Sequence, residues 1–343
     1  MARRPTIKDL AREAGVSAAT VDRVLNGRSR VRDETIRKVA GAAHRIGFHA
    51  QALIDRRLGQ SLDEVTLGFV LHKERQEFYQ NFAREIDRAV QARTDVRGRA
   101  IIRFAPSQSP GDFAGQLRDM GRRAQAVAGS AVNHPELTRA VQELKDGGIA
   151  TFAVLNDFAL GVRQNYLGLN NIKVGRIAAW QLATQIHAPG KLAVFVGGSR
   201  WHGHELRETG FRSYFREYAP AFEVLDTLVN LETRQLTYEA TLALLARHPD
   251  LRGIYVAGGG MEGAIAALRE ARPPGKVALV VNELTAASQA ALSERYVSMA
   301  ISTPLPELCR TLVDLMIASV LTPTPGIVGQ SFVEPQIHVP ESV

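Results

Sequence analysis

The sequence predicts an all-α helix-turn-helix head followed by a two-lobed α/β body built on parallel sheets. Three observations carry this reading. The chain has 343 residues, more than one hydrophobic core usually organises. Its formal charge of +7 lies wholly at one end: residues 1–60 hold 13 Lys and Arg against 6 Asp and Glu, while residues 61–343 balance at 29 and 29. From Val65 onward, short apolar runs alternate with longer amphipathic ones, the rhythm of βαβ units. A basic head on a neutral body points to a polyanionic partner for the head alone.

Composition removes several classes. A hydrophobic content of 45% and a charged content of 22% exclude disordered and low-complexity chains. The single cysteine, Cys309, excludes a disulfide framework and a cysteine-based zinc site. It falls in the apolar stretch Leu305–Leu321 and is expected in the core. The opening MARRPTIKDLAREAG has no apolar signal core, and no run of 18 apolar residues occurs, so a cytoplasmic protein without membrane contact is expected.

In the head, Thr6 can N-cap a helix through Glu13 with Ile7, Leu10, Ala11 and Ala14 on one face. Gly15 ends it by taking positive φ. Ser17 caps a second helix, Ala18 to Leu25, which turns Val21, Val24 and Leu25 inward before Asn26-Gly27 breaks it. A third helix runs from about Asp33 to Arg45 and stops at Gly47. Counted from Ile7, a small residue falls fifth (Ala11), glycine ninth (Gly15), and apolar residues fifteenth and eighteenth (Val21, Val24). Those are the packing constraints of a helix-turn-helix, and with the local charge they point to DNA.

The string TIKDLAREAGVSAATVDRVLNGRSRVRDETIRKVAGAAHRIGF closely resembles the LacI/GalR family of bacterial transcription regulators over about 45 residues. The resemblance implies that Ala18, Ala19 and Arg23 face base edges in the major groove, and that Thr6, Ser17, Thr20, Asn26 and Thr35 contact phosphates. These roles are chemically reasonable: arginine can grip guanine O6 and N7, alanine can contact only thymine methyls, and small hydroxyls at helix N-termini suit phosphate. Two positions depart from the family. Asp22 stands where serine is usual and can turn toward Arg23 or Arg28. The hinge, AQALIDRRLG, lacks the usual Pro-Asn start; its minor-groove wedge aligns with Arg57, with Leu58 one residue later. This gives a DNA-binding domain at 1–48 and a hinge at 49–62.

In the body, strands are expected at Val65–Leu71, Arg99–Phe104, Ala126–Val132, Ala150–Leu155, Leu192–Val196, Gly253–Ala257, Val277–Val281 and Val297–Ser302. Helical stretches between them include Gln76–Ala92, Pro135–Lys145, Val174–Ile186, Glu205–Glu217, Gln235–Arg247 and Met261–Ala271. Such a span favours two doubly wound domains. Residues 63–343 resemble the same family's effector and dimerisation domain, which is similar to a type I periplasmic binding protein. The resemblance implies an N-terminal lobe at about 63–167 and 304–322, and a C-terminal lobe at about 168–303 and 323–343. A ligand would sit in the cleft at the C-terminal ends of the strands.

Strand ends and the resemblance together nominate pocket residues. His72, Phe78 and Tyr79 follow the first strand, Asn133 and His134 the third, and Asn156 and Asp157 the fourth. The resemblance adds Asn170, where an aspartate is common, Arg207 in the string R-x-x-G-F, and Asn282 and Glu283, where relatives carry a ligand-binding aspartate. Paired amide, carboxylate and guanidinium groups suit polyols, since each engages adjacent hydroxyls twice. A helix cap or a lobe-lobe contact is the plainer role for each.

The expected activity is therefore a ligand-responsive regulator, acting as a repressor on a pseudo-palindromic operator as a homodimer. It would sense a sugar, polyol or sugar acid or phosphate, with no cofactor, no metal and no enzymatic chemistry. One rival remains open. Gly258, Gly260 and Gly263 spell G-x-G-x-x-G after a strand, with Glu283 twenty residues beyond, as in an NAD-dependent oxidoreductase. The same loop can also receive an anion on its backbone N–H groups. His202-x-His204-Glu205 lacks a third ligand at helical spacing.

Overall fold

A computed structural model describes residues 5–26, 31–50, 53–54, 62–322 and 328–343. They gather into two compact units, residues 1–65 with 90–99, and residues 66–89 with 100–343. The head has three helices, α1 (Ile7–Ala14), α2 (Ala18–Asn26) and α3 (Asp33–Ile46). Leu10, Val21, Val24, Val39, Ala43 and Phe48 are buried together between them. Thr6 starts α1 through a capping box: its Oγ1 accepts from the Asp9 N–H at 3.3 Å, and its N–H donates to Asp9 Oδ2 at 2.9 Å. Gly15 (φ +66°) and Gly47 (φ +62°) end α1 and α3 in the left-handed region. Ile54 is buried with the same residues, so the head's core reaches past the boundary expected at residue 48.

The body contains two sheets. The first takes β1 (Glu64–Leu71), β2 (Arg97–Phe104), β3 (Ala126–Gly129), β4 (Ala150–Val154), β5 (Asn165–Leu169) and β12 (Gly329–Val333) in the order β12-β5-β4-β3-β1-β2. Its helices are α4 (Glu77–Gln91), α5 (Pro110–Gly121), α6 (Pro135–Asp146) and α12 (Leu305–Leu321). The second takes β6 (Lys191–Val196), β7 (Glu223–Val224), β9 (Leu251–Val256), β10 (Ala278–Asn282), β11 (Met299–Ser302) and β13 (Gln336–His338) in the order β13-β11-β10-β9-β6-β7, with β8 (Leu228–Val229) also on β6. It carries α7 (Asn171–Gln185), α8 (His202–Tyr218), α9 (Arg234–Arg247), α10 (Met261–Ala271) and α11 (Ala286–Ser293). The central strands pair in parallel, with Phe69 opposite Ala128 and Val280 opposite both Tyr255 and Met299. These strands are buried on both faces, which explains their unbroken apolar runs.

Three boundaries differ from expectation. The first sheet continues through β5 to Leu169, beyond the lobe boundary expected at 167. Strand β3 stops at Gly129 rather than Val132, and Ser130 lies at the cleft. The tail, assigned above to the C-terminal lobe, divides: β12 pairs in parallel with β5, and β13 pairs antiparallel with β11. A buried ion pair fixes the first of these. Arg163 meets Asp157 with Nε–Oδ1 at 2.5 Å and Nη2–Oδ2 at 2.7 Å, and its Nη1 donates to the Gly329 carbonyl at 2.7 Å. Gln330 Nε2 donates to Asp157 Oδ2 at 3.0 Å. Each buried charge is thus hydrogen-bonded as well as paired, and the group pins β12 to the sheet.

Candidate functional site

On the head, Ala18, Ala19, Asp22, Arg23 and Asn26 form the exposed face of α2, while Val21, Val24 and Leu25 face the core. This is the disposition a helix needs to offer side chains to a groove while staying seated. Ser17 Oγ accepts from the Thr20 N–H at 3.1 Å and lies 2.8 Å from Thr20 Oγ1, so both hydroxyls also serve the helix cap. Thr35 is half-buried in the first turn of α3. Asp22 Oδ1 accepts from Asn26 Nδ2 at 2.7 Å, one helical turn on. That contact places a carboxylate beside a proposed phosphate ligand. Arg57 and Leu58, the hinge candidates, lie outside the described residues, as does Arg28.

The body's cleft is a cavity of about 510 Å³ at the C-terminal ends of both sheets. Phe78, Tyr79, Asn156, Arg207, Asn282 and Glu283 all line it. The backbone around it is strained. Among the described residues, Lys73 (φ +47°), Leu155 (+66°), Leu231 (+49°), Glu232 (+54°) and Glu283 (+72°) are non-glycine residues in the left-handed region. All five follow ends of β1, β4, β8 or β10, where strain of this kind marks sites built for a ligand.

Arg207 is set by two hydrogen bonds. Its Nε donates to Asn171 Oδ1 at 2.7 Å and its Nη1 to the Ala257 carbonyl at 2.7 Å, which fixes the plane of the guanidinium at the cavity wall. The helices carrying Asn171 and Arg207 can approach this closely because glycines meet backbone: a Cβ at Gly175 would lie 1.9 Å from the Arg207 carbonyl oxygen, and one at Gly210 would lie 2.2 Å from that of Ile172. Buried Asn282 accepts from the Tyr255 hydroxyl at 2.9 Å. Glu283 accepts from the Thr303 N–H at 3.0 Å and the Thr303 hydroxyl at 2.7 Å, and burial pushes its carboxyl above the usual range.

Other candidates have structural work instead. His72 is buried behind the cleft against Phe113 (4.8 Å between centroids) and Trp201 (5.5 Å), and among the described residues its ring nitrogens have no partner in hydrogen-bond geometry. Asn133 is exposed and its N–H donates to the Arg200 carbonyl at 3.1 Å; His134 caps α6, with Nδ1 accepting from the Glu136 N–H at 3.3 Å. Asp157 is the tail anchor described above. Asn170 caps α7 through Lys173, and the residue that reaches Arg207 is its neighbour, Asn171. Asn156 does line the cavity, but its amide also clamps the lobes: Nδ2 donates to the Ala131 carbonyl, and Oδ1 accepts from the Gly203 N–H at 2.9 Å.

Sequence reasoning missed a network across the cleft. Lys73, after β1, meets Glu232, after β8, with Nζ–Oε2 at 2.5 Å. Glu232 Oε1 accepts from the Gly259 N–H at 3.2 Å and lies 3.7 Å from His204 Nε2. Burial alone would raise the Glu232 carboxyl, but His204, Lys73 and the Gly259 N–H hold it below its ordinary value. Burial pushes the His204 ring down to about 4, and its Nδ1 accepts from the Gly197 N–H at 3.1 Å. Trp201 stacks on His204 at 5.9 Å and packs into the core of the first lobe. Glu283, the acidic residue of the dinucleotide reading, accepts from Thr303 at both oxygens.

Residues 67–321 match the family described as the periplasmic binding protein domain, and residues 6–51 match the bacterial regulatory proteins of the lacI family. The chain belongs to the periplasmic binding protein family, with a lacI-family head. The chain is 42% identical over 76 residues to the HTH-type transcriptional regulator MalR of Streptococcus pneumoniae, covering 22% of this chain and 23% of that protein. It is 40% identical over 82 residues to catabolite control protein A of Priestia megaterium, covering 24% of each. These matches span about a quarter of the curated relatives. The periplasmic-binding fold itself is shared with an ABC transporter solute binding protein from Agrobacterium vitis bound with α-D-tagatopyranose (TM-score 0.73, 20% identity, 81% of this chain and 95% of that one). It is shared equally with one from Actinobacillus succinogenes with bound D-allose (TM-score 0.73, 17% identity, 81% and 98%). Among the described residues no helix is long and apolar enough to cross a membrane.

Proposed function

We propose that this chain is a cytoplasmic transcription regulator that binds a pseudo-palindromic operator as a homodimer and represses until a sugar or related polyol occupies its cleft. One observation carries the reading: a single chain joins a lacI-family head, with Ala18, Ala19 and Arg23 open on α2, to a periplasmic-binding body with a sugar-sized cleft. The relatives named as transcriptional regulators and the sugar-bound structures of the same fold support it.

The chemistry of the cleft fits a polyol. Arg207, fixed on two sides, can spend its remaining N–H groups on ligand hydroxyls, and Asn282 and Asn156 offer amides nearby. Phe78, Tyr79 and Trp201 supply apolar faces for the C–H side of a sugar ring. A dimer is argued from the head, since one helix-turn-helix buries too little surface for tight specific binding. Ligand alters DNA affinity only by binding the two lobe arrangements unequally, and the signal passes through residues 49–62. Thermal-shift screening of sugars and polyols, followed by operator binding with and without each hit, tests the proposal. A body indifferent to all of them, or a hit that leaves operator affinity unchanged, would overturn it.

A further inference from the structure

The glycine loop before α10 has the form of an anion cradle, and the protein has already filled it. A Cβ at Gly258 would lie 2.4 Å from His204 Cε1, one at Gly259 would lie 3.0 Å from Glu232 Cβ, and one at Gly260 would lie 2.5 Å from Thr237 Oγ1. The loop is therefore drawn tightly onto these side chains, and glycine is what allows it. The backbone N–H of Gly259 then meets a carboxylate from within the chain, Glu232 Oε1 at 3.2 Å. The other oxygen of Glu232 is held by Lys73 Nζ at 2.5 Å, with the two side chains only 12% and 14% exposed. Two successive residues, Leu231 and Glu232, are held at positive φ to place it, at a cost their backbone would not otherwise bear. Glu262, in the first turn of α10, also lines the cavity.

We infer that Glu232 sets the charge class of the ligand: it occupies the anion position of the glycine loop, so the ligand presents an uncharged hydroxyl there, and not a phosphate or carboxylate. This deepens the proposed function and rests on the same cleft. A phosphoryl group placed on the Gly259 N–H would stand against the Glu232 carboxylate already bound there, and Lys73, the cation paired with that carboxylate, is not free to answer it. A hydroxyl is welcome for the opposite reason. It can donate to the free lone pairs of the Glu232 carboxylate, which accepts up to four hydrogen bonds. Arg207, held to the Ala257 carbonyl next to the loop, keeps further N–H groups for other hydroxyls of the ligand.

The test uses inorganic phosphate as the probe, so that it can be read even if no sugar is ever found. Full-length protein, Glu232→Ala and the double variant Glu232→Ala/Lys73→Met are titrated by calorimetry and thermal shift, with circular dichroism as the control for folding. The unaltered protein should show no phosphate binding. Glu232→Ala should bind phosphate at least about tenfold more tightly, because the Gly259 N–H and Lys73 are then left without their carboxylate, and the double variant should lose that gain. For any sugar that binds, its phosphate ester should bind the unaltered protein at least about tenfold more weakly than the free sugar. Phosphate or a sugar phosphate binding the unaltered protein as tightly as the neutral sugar would overturn the inference. So would a folded Glu232→Ala that gains no phosphate affinity. If instead no sugar binds but the phosphate gain appears, the proposed ligand class fails while the role of Glu232 stands.

Discussion

Gly175→Ala puts the geometry of the cleft wall to a direct test. A Cβ there would lie 1.9 Å from the Arg207 carbonyl oxygen, 2.8 Å from the Arg207 carbonyl carbon and 2.9 Å from the Phe211 nitrogen. All three are backbone atoms, so no side chain can swing aside. Restoring ordinary contact requires α7 and α8 to part by about 1.5 Å, and such overpacking costs about 1–3 kcal/mol. The same shift stretches the 2.7 Å bond from Arg207 Nε to Asn171 Oδ1, whose loss adds about 1.5–3 kcal/mol because the donor is charged. Together these give at least about 2.5 kcal/mol, or a fall in Tm of at least about 5–10 °C for a domain of this size. Gly115→Ala is the control, since that exposed helical glycine has nothing within 4 Å of a new Cβ. It should raise Tm by about 1–4 °C through the ordinary helix preference for alanine. Scanning calorimetry of both variants decides. A Gly175→Ala melting within a degree of the unaltered protein would show that the helices do not cross as described.

Further outcomes concern the head and the buried histidines. Arg23→Ala should cost about 1–3 kcal/mol on the operator and much less on random DNA, measured by fluorescence anisotropy; equal losses on both would remove its base-reading role. Asp22→Ser should strengthen binding to operator and random DNA alike, by about two- to tenfold at low salt, because it removes a carboxylate from the groove face; weaker binding would mean that Asp22 positions Asn26 usefully. His72 and His204 are both held neutral at about 4, His72 by burial first and Lys73 second. Their folded values lie below the unfolded one near 6.5, so the unfolded state takes up more protons between those limits and stability falls as pH drops from 7 toward 4. His72→Phe should therefore flatten the decline of Tm between pH 7 and 5. An unchanged pH profile would contradict this.

The head was legible because its signals are local. A capping threonine, a glycine at positive φ and an apolar stripe all lie within a few residues of what they control, as Thr6, Gly15 and Val21 illustrate. The buried strands were legible for a similar reason, since a parallel sheet covered on both faces leaves an unbroken apolar run. Strand β5, NYLGL, was missed because it starts on Asn165 and is short, and β12 because its partner lies more than 160 residues away. The cleft was legible by region but not by atom. Asn170 and Asn171 are adjacent in sequence, yet one caps a helix and the other orients Arg207, because successive helical positions point about 100° apart. Lys73 and Glu232 carry no local mark: each is one more charge in a polar loop, and only the folding of two sheets toward one another makes them a pair.

The central claim is that the cleft and the head are coupled in one chain. Operator affinity measured by fluorescence anisotropy, with and without the sugar found by thermal shift, tests it most directly when Arg207→Ala is run beside the unaltered protein. The account predicts that the sugar shifts the operator midpoint of the unaltered protein by about tenfold or more, whereas Arg207→Ala keeps the sugar-free affinity and loses the shift. A full shift in Arg207→Ala, or none in the unaltered protein with the sugar demonstrably bound, would contradict it.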